Sequence, residues 1–207
     1  MSFPVFLIDD DASVLKALSR LLRISGYDPH PYPSPRQFLA DFDPSAPGCI
    51  ILDLTMPELD GLELQKALLA QHQKGLEHQI IFVTGTGSIS AGVQAMKAGA
   101  VDFLTKPVDP IQLLAAVELA RAQDEEARSQ SRERLSVQEQ IARLTPRERE
   151  VLSHVITGRL NKQIAAALGT TEKTIKVHRG RVKAKLGAHS VAELVRITDK
   201  AGMLPAV

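Results

Sequence analysis

Four apolar runs each end in a polar residue. Pro4-Val5-Phe6-Leu7-Ile8 ends in Asp9 and Asp10, and Cys49-Ile50-Ile51-Leu52 ends in Asp53. Gln79-Ile80-Ile81-Phe82-Val83 ends in Thr84, and Val101-Asp102-Phe103-Leu104-Thr105 ends in Lys106. Brought together, three carboxylates this close repel one another and do not all ionise cheaply without a cation. Hard oxygen donors with no His or Cys nearby favour Mg²⁺ (or Mn²⁺) over zinc. A hydroxyl and an ammonium facing the same spot suit an incoming phosphoryl group. In that set Asp53 reads as a carboxylate nucleophile that takes a phosphoryl group and becomes an aspartyl phosphate, with the cation neutralising charge on the group in transfer. Taken singly, each residue has a plainer role as a strand end or helix cap, and Asp11 is read as an N-cap. No GxxxxGK[ST] or GxGxxG occurs here, so nucleotide cradling is not supported.

The elements that must position these residues alternate. Between the apolar runs lie amphipathic stretches, such as Val14 to Ile24 closed by Gly26, and Leu62 to Leu69 after Asp60-Gly61. A weaker run from Asp28 to Ser34 carries Pro29, Pro31 and Pro33, which restricts it to an edge strand. Continuous apolar strands alternating with helices predict a five-stranded parallel doubly wound sheet, with right-handed crossovers. In such sheets ligands bind outside the carboxyl ends of the strands. That edge is where Asp9, Asp10, Asp53, Thr84 and Lys106 fall, and it explains an acid at the end of a buried strand.

Charge divides the 207 residues. The balance of basic over acidic residues is −5 over residues 1–121, −2 over 122–142 and +8 over 143–207, which restores the net +1. An acidic front and a basic back suggest two modules with different partners. The single Cys49 excludes an internal disulfide and reads as a small buried hydrophobe. No run of 18 apolar residues is present, so no membrane span is expected. The N-terminus lacks a basic region before its apolar run and does not read as a signal peptide. A cytoplasmic protein is expected.

Residues 122–142 are poor in large apolar side chains, rich in Ala, Glu, Gln and Arg, and place Asp124 and Arg128 at i,i+4. They predict a solvated helical linker, with a partly disordered tether as the alternative. The basic remainder is predicted as an all-α, four-helix domain. Thr145-Pro146-Arg147-Glu148 is a capping box with proline at the first helical position. Asn161 is expected to cap a short helix to Leu168, Gly169 to turn the chain, and Glu172 to Leu186 to form a third helix before Gly187. A fourth runs from Ser190 to Ala201. A short helix, a turn and a basic helix suggest a helix-turn-helix for double-stranded DNA. On the third helix Ile175, Val182 and Leu186 share one face, and Val177, Gly180 and Ala184 share the opposite one. Lys176 and Lys183 flank that outer face on one edge, Arg181 and Lys185 on the other. Small residues between rows of cations suit a helix lying in the major groove, its centre near bases and its edges near phosphates. Lys173 and His178 are further candidates to meet the backbone. His178 is not read as a metal ligand, because no second His or Cys is placed to help.

The stretches IDDD, LDLTMPELDG, FVTGTG and MKAGAVDFLTKP, spread over residues 3–120, resemble the receiver domain of two-component response regulators. That resemblance implies Asp53 as phosphoacceptor. It implies Asp10, Asp53 and the Thr55 backbone carbonyl as Mg²⁺ ligands, with Asp9 acting through water. Lys106 would pair with the phosphoryl group across a cis bond to Pro107, and Thr84 and Phe103 would be the switching residues. Their movement would alter the face at Ser88–Ala98 and Val101–Leu104. The segment KGLEHQ before the fourth strand is slightly long for the family. LTPREREVL, GRLNKQIAAALG and TEKTIKVHRGRVKAKLGAHS, over residues 142–203, resemble the LuxR-type helix-turn-helix. Together they resemble the FixJ/NarL family of response regulators, on the FixJ-type branch. The resemblance implies base contacts around Lys176, Val177 and Gly180, with Arg181 supplying a cation that some relatives carry at 180. It also implies pairing of two DNA-binding domains through Val191, Leu194 and Val195. The implied partners are a sensor histidine kinase, DNA with two half-sites, a second copy of the chain on phosphorylation, and RNA polymerase.

Three functions can be set against these residues. The first is a phosphorylation-switched transcription factor with at most slow self-dephosphorylation. The second is a haloacid-dehalogenase-type phosphatase, which needs a second Asp two residues after Asp53, where Thr55 stands. The third is a DNA-binding protein whose front module acts as a passive dimerisation unit.

Overall fold

In the computed structural model, residues 2–70, 78–85 and 89–203 are described. Lys74 to Glu77 of the KGLEHQ segment, and Ser88 of the expected switching face, lie outside them. The chain divides into two compact units, Met1–Ser129 and Gln130–Val207.

The first unit is built on β1 (Pro4–Ile8), β2 (Asp28–Tyr32), β3 (Cys49–Asp53), β4 (Gln79–Thr84) and β5 (Asp102–Thr105), all parallel in the order β2-β1-β3-β4-β5. This is the flavodoxin-like order, whose switch point lies between the first and third strands. The proline-rich β2 is an edge strand paired with β1, where missing N–H donors are tolerated. Successive side chains of a strand point to opposite faces, so every residue of β3 is buried and the strand serves two cores at once. Cys49 and Ile51 face Leu15, Leu18 and Leu22 of α1 (Ala12–Ile24), and Leu113 and Val117 of α5 (Pro110–Ala142). Ile50 and Leu52 face Phe38 of α2 (Pro35–Asp41), Leu64 and Leu68 of α3 (Gly61–Ala70), and Ala95 of α4 (Ile89–Lys97). Asp11 is the N-cap of α1 and accepts from the Ser13 N–H. Burial pushes the Cys49 thiol up to about 12, which leaves it protonated and inert.

Helix α5 runs unbroken through the segment expected to be a solvated helical linker. Asp124 is 3% exposed, and the Arg128 Nε bonds both of its carboxylate oxygens at 2.9 and 2.8 Å. The Arg128 guanidinium also donates to the backbone carbonyls of Ser45 (2.8 Å) and Ala46 in the loop before β3. The i,i+4 pair read from the sequence is therefore packed against the first unit rather than solvated. From Gln130 onward α5 groups with the second unit, where the Gln138 side chain donates to the Ala201 carbonyl at 3.2 Å and Val137 is buried.

The second unit adds α6 (Pro146–Val155), α7 (Asn161–Ala167), α8 (Glu172–Leu186) and α9 (Val191–Lys200) around Val151, Leu152, Val155, Ile164, Ile175, Val182, Leu186 and Leu194. The capping box of α6 is present: Thr145 Oγ1 accepts from the Glu148 N–H at 3.2 Å, and Glu148 accepts from the Thr145 N–H at 2.9 Å. Asn161 does not cap α7. Leu160 holds that position, with its N–H donated to the Gln163 side chain at 2.8 Å. The Asn161 side-chain oxygen Oδ1 instead accepts from the Arg179 guanidinium at 2.8 Å, tying α7 to α8.

Candidate functional site

Asp9, Asp53, Thr84 and Lys106 meet at the carboxyl edge of the sheet. The Lys106 ammonium lies 2.7 Å from Asp9 Oδ2 and 2.8 Å from Asp53 Oδ2. The second oxygens are also held: Asp9 Oδ1 accepts from the Asp11 N–H at 2.9 Å, and Asp53 Oδ1 from the Thr55 N–H at 3.2 Å. Asp9 and Asp53 are 4% and 6% exposed, whereas Asp10 is open to solvent. One carboxylate oxygen from each of the three acids lies within 4.8 Å of the others. Burial raises the Asp9 carboxyl above its ordinary value, against the opposing pull of Lys106 and the Asp11 N–H. For Lys106, burial is the largest single influence and pulls its value down. The hydrogen bonds and charges of Asp53 and Asp9 together outweigh it and hold the ammonium above its ordinary value. The crevice thus keeps one fixed cation between two buried acids, with a third acid at its mouth.

The walls fix this geometry. Lys106 N–H donates to the Thr84 carbonyl at 2.7 Å, and Thr84 is fully buried. The Lys106–Pro107 bond is cis. Gly61, which the sequence placed at a helix start without a further role, abuts the site: a Cβ there would stand 2.5 Å from the Asp53 carbonyl oxygen. Asp60 and Glu63 exchange backbone-to-carboxylate bonds at 3.1 and 2.8 Å, which anchors the start of α3 beside it. Phe103 is half-buried on β5, 6.5 Å from Phe82 between ring centres, and its ring lies against Gly92 of α4.

In the second unit α8 presents its outer face as the residue spacing predicts. Val177 is 47% exposed, Lys173, Lys176 and Arg181 are exposed, and open space surrounds the position of a Gly180 Cβ. Ile175, Val182 and Leu186 are buried. Thr171 caps the helix and Gly187 ends it in the left-handed conformation, with φ 65°. The edge cations divide into two sets. Lys185 pairs with the buried Glu148 of α6 at 2.6 Å, and the Lys183 ammonium turns onto the His189 carbonyl. With Arg179 on Asn161, these fix α8 against its own domain, while Lys173, Lys176 and Arg181 form no ion pair or hydrogen bond among the described residues. His178 is half-buried with Nδ1 enclosed. On α9, Val195 is 40% exposed and Val191 lies half-buried against the core. Leu194 corrects the expected pairing surface: at 1% exposure it belongs to the core of its own domain.

Residues 5–118 match the family model described as response regulator receiver domain, and residues 142–198 match that of bacterial regulatory proteins, luxR family. The chain belongs to the response regulators of transcription that join a receiver domain to a LuxR-family DNA-binding domain. Among its relatives, response regulator protein TodT of Pseudomonas putida is 41% identical over 196 residues, 95% of this chain and 85% of that protein. Transcriptional regulatory protein FixJ of Azorhizobium caulinodans is 41% identical over 205 residues, 99% of this chain and 96% of that protein. Among solved structures, that of response regulator StyR superposes with a TM-score of 0.81 at 39% identity, covering 97% of this chain and all of that one.

Proposed function

We propose that a sensor histidine kinase donates a phosphoryl group to Asp53 and that this controls dimerisation and sequence-specific DNA binding. The observation that carries this reading is the Lys106 ammonium set 2.8 Å from Asp53 Oδ2 and 2.7 Å from Asp9 Oδ2, with Asp10 completing an all-oxygen acidic cluster. An Asp53 oxygen attacks phosphorus, the bond to the donor imidazole breaks, and the imidazole leaves after taking up a proton. Lys106 then pairs with the phosphoryl oxygens in place of the carboxylate. Asp10, Asp53 and the Thr55 carbonyl would hold Mg²⁺ directly, and Asp9 through water. The donor set fits a hard ion, because every ligand is oxygen and one carboxylate oxygen from each of the three acids lies within 4.8 Å of the others. Bound there, the ion supplies charge neutralisation for the group in transfer.

Thr84 then engages the phosphoryl oxygen, Phe103 turns inward, and the altered face of α4 and β5 pairs two receivers. Two DNA-binding domains meet two half-sites, with Val195 and Val191 at the pairing face of α9. Lys176, Val177 and Gly180 approach bases, with Arg181 supplying the cation that some relatives carry at 180, and Lys173 meets the backbone. The receiver is read as residues 1–121 and the DNA-binding domain as 143–207, a reading supported by the two compact units Met1–Ser129 and Gln130–Val207. The protein works in the cytoplasm, and RNA polymerase is the next partner on the promoter. No described helix is long and apolar enough to cross a membrane.

The test is intact mass after incubation with acetyl phosphate and Mg²⁺, followed by DNA affinity. One phosphoryl group is expected on wild type and none on Asp53→Asn or on magnesium-free samples, with tighter DNA binding in the modified protein alone. Equal DNA affinity with and without the phosphoryl group would overturn the switch.

A further inference from the structure

A second cleft in the first unit lies between α1 and the edge strand β2, an open depression of about 610 Å³. Leu15, Pro31 and Pro33 give it apolar walls, and α1 lines it with Lys16, Arg20 and Arg23. These cations stand at i, i+4 and i+7, one above another on one face of the helix. No carboxylate lines the cleft, and none of the three cations forms an ion pair among the described residues. Like charges at this spacing destabilise a helix unless something neutralises them. The proline-rich β2 lacks the run of N–H groups that would recruit another strand, so the edge is suited to side-chain contact rather than sheet extension.

Ser19 adds an independent observation. It lines the same cleft, is 8% exposed, and its hydroxyl has no hydrogen-bond partner. The large majority of buried side-chain polar atoms are bonded, so this hydroxyl marks a place where an acceptor is missing. Apolar walls with a few convergent polar groups in a space of this size are the usual form of a small-molecule site.

We propose that the α1/β2 cleft binds a small amphipathic organic anion. Its apolar body rests on Leu15, Pro31 and Pro33, and its carboxylate, sulfonate or phosphate group is held by the Lys16, Arg20 and Arg23 row with the Ser19 hydroxyl.

The test is an amide ¹H–¹⁵N titration of the full chain with naphthalene-1-sulfonate, alongside the neutral naphthalene-1-sulfonamide. The sulfonate is expected to give saturable shifts confined to Ala12–Ile24 and Asp28–Tyr32, in the ~1 mM range usual for a ligand of this size. Arg20→Glu with Arg23→Glu is expected to weaken it about tenfold, as is usual for two exposed ion pairs reversed in sign. Ser19→Ala weakens it by a smaller factor. Acetyl phosphate still modifies the double variant at Asp53, which shows that the fold is intact. The proposal is overturned by shifts spread over cationic surfaces such as α8, by a sulfonamide that binds as well as the sulfonate, or by unchanged affinity in the double variant. Failure to bind the probe, together with lost phosphoryl transfer from the kinase in the double variant, would overturn it in favour of a protein contact.

Discussion

The position of Asp53 depends on the absence of a side chain at Gly61. A Cβ there would stand 2.5 Å from the Asp53 carbonyl oxygen and 3.0 Å from both Leu54 Cα and the Phe82 ring. Ordinary contact begins at 3.4 Å, so something must move by about 0.9 Å. Neither side yields freely. The Gly61 N–H is bonded to the Leu54 carbonyl at 3.0 Å, Leu54 N–H to the Val83 carbonyl at 3.2 Å, and Phe82 is fully buried. Overpacking of this kind costs about 1–3 kcal/mol. A reacting group misplaced by about 1 Å loses on the order of 100-fold in rate. Gly61→Ala is therefore expected to lower the unfolding free energy by that cost, seen as a lower urea midpoint, and to slow phosphoryl uptake from acetyl phosphate by roughly 10- to 100-fold, read as initial rate by intact mass. Gly85→Ala, whose Cβ comes no nearer than 4.0 Å to the Lys106 side chain, is expected to keep the wild-type midpoint. Wild-type rate and midpoint in Gly61→Ala would refute the reasoning.

Other perturbations separate stability from function. Gly180→Ala fills open space in mid-helix, so it should stabilise the second unit by about 1 kcal/mol while weakening DNA binding in a mobility-shift assay. Unchanged or tighter binding would remove close backbone approach as the reason for that glycine. Arg128→Met deprives the buried Asp124 of the guanidinium on both its oxygens and should cost on the order of 3 kcal/mol by urea unfolding, against almost nothing for a solvated pair. Lys185, by its hydrogen bond to the side chain, is the main cause holding Glu148 below its ordinary 4.5, followed by the Thr145 N–H. A depressed carboxyl contributes stability that is full above the ordinary value and lost as pH falls through the folded one. The difference in urea midpoint between wild type and Lys185→Met should thus be full well above pH 4.5 and close below it. A difference independent of pH would show that the pair is not the cause.

The first unit was legible because its strands are buried on both faces. Cys49 to Leu52 is an unbroken apolar run, and an acid closing it has no place but the open carboxyl edge. The capping box at Thr145 and the buried face of α8 were legible for the same reason, since each is a local rule. Burial created by distant chain was not legible. Asp124 and Arg128 have the spacing of any exposed helical pair, and nothing nearby in sequence indicates that the carbonyls of Ser45 and Ala46 await the guanidinium. Leu194 was misplaced because the core stripe of α9 continues through Thr198, a polar residue that is 2% exposed. Its hydroxyl is satisfied by the carbonyls of Leu194 and Val195 at 2.9 and 3.0 Å, so a threonine stands where the pattern asks for an aliphatic. Asn161 has the residue type of an N-cap but lies one position inside the helix, where Arg179 takes its oxygen.

Strand β3 sends alternate side chains into opposite cores and ends in Asp53, and this makes the carboxylate's address discrete. Side chains in a strand repeat every two residues, and each residue advances the chain by about 3.3 Å. A slip of one residue would therefore exchange the contents of the two cores and turn the carboxylate to the opposite face. A slip of two would restore the faces but carry Asp53 about 6.6 Å along the strand from its present place beside Lys106, which breaks the ion pair as it stands. No gradual drift connects these alternatives. The packing of Ile50 and Ile51, remote from any phosphorus, acts as a detent that holds the reactive oxygen at one setting.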